Sequence, residues 1–85
     1  MDEFLIREIN FNHPAIYRIQ VKGFITGDWS DRIDGMTIRQ MNPSNGLLIT
    51  ILEGELADQS ALAGVLNTLY ELHLPVLNVE CLSVA

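Results

Sequence analysis

Residues 47–84 read LLITILEGELADQSALAGVLNTLYELHLPVLNVECLSV, and three elements follow from them in order. The run Leu47 to Glu53 is apolar at both even and odd positions, which predicts a central strand covered on each side, ended by Gly54. Asp58 is a good helix N-cap, because its carboxylate can accept the orphan amide hydrogens of the first turn. At about 100° per residue, Ala61, Leu62, Val65, Leu66, Leu69 and Leu72 fall on one stripe, with Asn67, Thr68 and Glu71 opposite. His73, just before Leu74-Pro75, is expected to leave the helix in a turn conformation. Val76 to Val84 then returns as a strand, with Leu77, Val79 and Cys81 on one face and Val76, Asn78, Glu80 and Leu82 on the other.

Outward from this unit, Tyr17, Ile19 and Val21 alternate with Arg18, Gln20 and Lys22, as a half-buried strand requires. Thr26-Gly27-Asp28 begins a short helix of about two turns, in which Trp29 and Ile33 share a face and Gly35 supplies the stop. Met36 to Met41 is a second strand, and Asn42-Pro43-Ser44-Asn45-Gly46 is a turn that makes a hairpin with the strand after it. The resulting order, β-α-β-β-α-β, defines an α+β fold of the ferredoxin-like kind, an antiparallel sheet with helices on one face and a short first helix. Residues 16–85 form that single domain. Residues 1–15 are expected to be an N-terminal arm or an extra strand, since Phe4-Leu5-Ile6 and Ile9 to Phe11 are too apolar to dangle.

Composition limits the function classes. The 85 residues suffice for one domain, and 48% apolar content marks it as globular. No apolar run approaches the ~18 residues of a membrane span. The start Met1-Asp2-Glu3 is acidic where a targeting peptide is basic, so cytoplasmic residence is expected. Five basic residues against eleven acidic ones give a net charge of −6, which argues against nucleic-acid partners and anionic membrane surfaces. Cys81 is the only cysteine, so no internal disulfide forms.

The residues Gly23, Trp29 and Gly35, the run Asp58-Gln59-Ser60-Ala61-Leu62-Ala63-Gly64-Val65-Leu66, and Leu72-His73-Leu74-Pro75 together resemble a widespread family of short, uncharacterised bacterial proteins. The likeness extends from about Tyr17 to Leu82. It implies a stand-alone cytosolic protein with no catalytic residues. Ala63 and His73 depart from it, standing where such proteins often carry histidine and glycine respectively. Histidine at position 73 still fits a left-handed cap.

No constellation of residues speaks for chemistry. Asp28, Asp31 and Asp34 lack the spacing of a calcium loop, and His13, His73 and Cys81 are too scattered for zinc, so neither a metal nor a cofactor is expected. Cys81, inward on a strand, has no base to activate it. Acylphosphatases resemble the Val21-Lys22-Gly23 start but need an arginine where Thr26-Gly27-Asp28 follows, and RNA-recognition domains need aromatic residues that Leu47 to Leu52 lacks. The expected contact residues for a ligand or partner are Trp29, Asp58 and Gln59, together with an apolar patch of Leu48, Leu52 and Leu82 on the open face of the sheet. These point to a non-catalytic module that forms a homo-oligomer or docks a protein partner. The alternative is small-ligand sensing similar to ACT domains, an analogy at the level of fold alone.

Overall fold

Two distant parts of the chain meet at Lys22 and Gly23, at the end of the first strand. The Gly23 amide donates to the Leu48 carbonyl at 2.9 Å, and its own carbonyl accepts from the Thr50 hydroxyl at 2.7 Å. The neighbouring Lys22 amide donates to the Pro75 carbonyl at 2.9 Å. These bonds were read from a computed structural model that describes residues 13–42 and 46–84. The expectations for the N-terminal arm and for the tip of the Pro43–Asn45 turn lie outside those residues.

The described chain is α+β: β1 (Ala15–Lys22), a 3-10 helix (Gly27–Ile33), β2 (Thr37–Met41), β3 (Ile49–Leu56), α1 (Gln59–Glu71) and β4 (Val76–Val84). The four strands form one antiparallel sheet in the order β2-β3-β1-β4. The two inner strands are therefore the first and third in sequence. Alternation in β1 places Ala15, Tyr17, Ile19 and Val21 in the core, and direct pairing brings Leu56, Gly54, Leu52 and Thr50 to the same face. Val65 and Leu69 of α1 and Ile33 of the 3-10 helix complete that core from above. Each such side chain contributes about 1.5–3 kcal/mol when it leaves water.

Three expectations are corrected. The first helix is 3-10 rather than α, with Trp29 N donating to Thr26 O at 3.1 Å, three residues back, so the order with two α-helices is not met. Seven residues headed by Gly27 hold too few turns to favour α geometry. Gly54 does not end β3; it lies within it, opposite Tyr17. A side chain there would meet the backbone of Met36, since a Cβ would stand 3.2 Å from the Met36 Cα. Leu52 is fully buried on the helix side, opposite Ile19 and Ile38, instead of lying on the open face. The strand's facing is set by Gly54 and Leu56, beyond the run that looked most strand-like.

Helix α1 follows its sequence closely. Asp58 Oδ1 accepts from Ala61 N at 2.9 Å, a side-chain cap on the first turn. At the other end His73 adopts φ 59°, its amide donates to Tyr70 O at 3.0 Å, and the Leu74 amide donates to Leu69 O at 3.1 Å. That pair of bonds is a Schellman closure with histidine at the left-handed position.

Two stability measurements follow. His73→Gly relieves the left-handed strain, roughly 1–2 kcal/mol, less the entropy glycine adds to the unfolded chain, so a net gain of about 0.5–1 kcal/mol is expected by urea unfolding. Thr50→Val leaves the Gly23 carbonyl without its hydroxyl donor in a buried site, and a loss of about 1–3 kcal/mol is expected in the same assay.

Candidate functional site

The residues expected to touch a ligand or partner do not come together. Trp29 is half-buried against the core, and the Arg32 guanidinium lies 5.1 Å from its ring centroid, a cation-π contact that covers one face. Asp58 is occupied as the helix cap. Gln59 opens the helix with its Oε1 buried and without a hydrogen-bond partner among the described residues. Leu48 precedes β3 and gives its carbonyl to Gly23. Leu52 is in the core, and Leu82 lies on β4 where the register with β1 slips. The proposed patch of Leu48, Leu52 and Leu82 is thus split between two faces and an edge.

The open face of the sheet is polar along β1, where Arg18 Nε bonds Glu53 Oε2 at 2.8 Å and Arg18 approaches Glu80 Oε1 at 3.8 Å. With side chains 35% to 45% exposed, these pairs contribute little stability but fix charge across three strands. Ile51, facing the same way, is nevertheless 97% buried.

The apolar surface lies on β4 instead. Val76, Leu77, Val79, Leu82 and Val84 are 40% to 47% exposed. Among the described residues β4 pairs with β1 alone, so it forms an edge of the sheet. Val76, Val79 and Val84 oppose Val21, Ile19 and Ala15 and so face the helix side, but α1 packs against the 3-10 helix and β3. The sequence placed Val79 on an inward face correctly but Val76 on the opposite one, because a register slip opposite Gln20/Val21 lies between them. It gave no sign that the helix would stop short of covering Val79.

A cleft of about 270 Å³ lies between the 3-10 helix and α1. Asp31, Arg32 and Asp34 line one wall, and Gly64 and Thr68 the other. A Cβ on Gly64 would meet nothing within 4 Å, so the groove is open there. The Thr68 hydroxyl donates within its own helix to Gly64 O at 3.1 Å.

Tyr17 and Cys81 are directly opposed on the helix side of the sheet. Burial, and secondarily the Cys81 thiol, raises the Tyr17 phenol above its ordinary value of 10.0. Among the described residues no group of three or more histidine, cysteine or acidic side chains is placed to hold a metal ion. Nor is any helix there long and apolar enough to cross a membrane.

With the fold and these surfaces established, the chain belongs to a family defined as a domain of unknown function, DUF8691, whose model matches residues 16–80. Neither the curated proteins nor the solved structures gave a match.

The Tyr17 shift carries a pH dependence. The unfolded chain ionises its phenol near 10.0 while the folded protein still holds the proton, so this contribution is intact below pH 10 and declines as pH rises through the folded value. Thermal unfolding at pH 9 and 11 is expected to show a larger drop for wild type than for Tyr17→Phe.

Proposed function

We propose that this protein is a non-catalytic interaction module of the cytoplasm that acts by self-association. The observation that carries the reading is the row of exposed apolar side chains on β4, at the edge of the sheet and outside the reach of α1. Several half-exposed apolar side chains on one edge strand of a small acidic protein gain by being covered. The polar residues near it support binding rather than chemistry: Glu80 is engaged with Arg18, and Cys81 faces Tyr17, not a base. We read the architecture as a reduced ferredoxin-like arrangement in which the 3-10 helix takes the place of the first α-helix. The succession of strand, helical turn, hairpin, helix and returning strand in one antiparallel sheet supports it.

A second reading, small-ligand sensing of the ACT-like kind, draws on the cleft between the 3-10 helix and α1. Two carboxylates and a guanidinium beside an open glycine are the chemical complement of a small zwitterion. Binding by the folded state alone, with ligand at about 100 times its dissociation constant, adds about 2.7 kcal/mol.

Light scattering coupled to size exclusion, at micromolar concentration and near-physiological salt, is expected to return twice the 9.5 kDa chain mass. A mass of one chain throughout that range removes the self-association reading. A thermal shift with an amino acid, in a protein that stays monomeric, favours the sensing reading instead.

A further inference from the structure

We infer that two copies of the chain join edge to edge through β4, antiparallel, about a two-fold axis that runs midway between the Val79 residues of the two copies. The inference deepens the self-association reading and rests on it. Strand β4 carries nine residues with one charge, Glu80, and no proline, so its outer edge lacks the lysines and prolines that commonly blunt such edges. Its register with β1 slips at two places, opposite Ile16/Tyr17 and opposite Gln20/Val21. Between them Asn78, Val79, Glu80 and Cys81 run in unbroken alternation, opposite Gln20, Ile19, Arg18 and Tyr17. That window is where a further strand finds a regular ladder.

A second copy is the occupant that the side chains of this window fit. Two identical strands pair antiparallel when the axis relating them stands perpendicular to the sheet. Such an axis keeps the helices of both copies on one face, so opposed residues share a face and one residue must stand opposite its own copy. A register centred on Glu80 would set two carboxylates directly opposite each other, which is destabilising. A register centred on Val79 instead sets each Asn78 opposite the partner's Glu80, both on the open face, where the amide can donate to the carboxylate. It also brings Val79 against its own copy on the helix side, covering surface that α1 leaves exposed. The paired sheets would then have eight strands. Identical partners thus meet a polar pair of complementary character, repeated twice by the symmetry, beside an apolar contact on the opposite face.

Charge at position 78 tests this with changes of opposite sign at an exposed residue. Asn78→Lys opposes a cation to the partner's Glu80, and Asn78→Glu opposes an anion. The association constant of the full chain is measured by sedimentation equilibrium at near-physiological salt, with far-UV circular dichroism and the thermal midpoint at low concentration as controls of the fold. Each cross-strand charge pair is worth about 0.2–1 kcal/mol and the dimer holds two, so Asn78→Glu is expected to weaken association by about 2- to 30-fold, and Asn78→Lys to strengthen it similarly. A wild-type dimer whose association constant is unmoved by both variants, or tightened by Asn78→Glu, overturns the β4 inference and leaves self-association through another surface standing. A wild-type protein that remains monomeric overturns both.

Discussion

The convergence on Gly23 is the constraint around which the other elements are arranged. At φ 120° the residue takes a conformation that side-chain-bearing residues rarely adopt, and a Cβ there would stand 2.7 Å from Leu74 Cδ2. The absence of a side chain lets the loop after α1 approach β1 closely enough for the Lys22 amide to reach Pro75. From the other side the buried Thr50 hydroxyl holds the Gly23 carbonyl, while the Gln40 side chain reaches the Ile25 carbonyl at 2.9 Å and lies 3.0 Å from the Thr50 oxygen. One hydroxyl proton serves one acceptor at a time, and the shorter bond is to Gly23. Strands β1, β2 and β3 and the link into β4 are thereby tied at one end of the sheet by polar contacts, while apolar packing fills the middle.

How much of this was written in the sequence varies with how local the determining force is. The boundaries of β4, the Asp58 cap and the left-handed His73 all follow from single residues acting on their immediate neighbours, and each was readable in advance. The facing of β3 was not, because every position from Leu47 to Leu52 except Thr50 is aliphatic and a strand apolar on both sides carries no phase. Contact between Gly54 and Met36, eighteen positions earlier in the chain, supplies the phase. The 3-10 form of Gly27–Ile33 was equally hidden, since Trp29 and Ile33 reach the same core in either geometry. The candidate patch inherited the error in β3: once Leu52 turns inward, the apolar surface moves from the middle of the open face to the edge at β4.

That relocation changes the meaning of the surface. A face is covered by something broad, such as another sheet or a helix, whereas an edge is extended by something narrow, a further strand. Arg18, between Glu53 and Glu80, gives the open face a fixed charge pattern. Helix α1 leans toward the 3-10 helix and leaves the side chains of β4 uncovered. Among the described residues the sheet is therefore well packed at the β2-β3-β1 side and half-exposed at β4.

The central position of β1 also sets how much chain each of its two ladders must close. The hairpin of β2 and β3 closes over a short loop, with Met41 opposite Ile49, and needs little chain entropy to form. Strand β1 joins β3 across the first half of the chain, while its other side pairs with β4, where Ala15 meets Val84 from nearly the far end of the domain. Non-local closures of this kind slow folding. Until that last ladder forms, β1 itself has an open side, and the same apolar alternation that makes it the heart of the sheet makes it the segment most exposed to mispairing during folding.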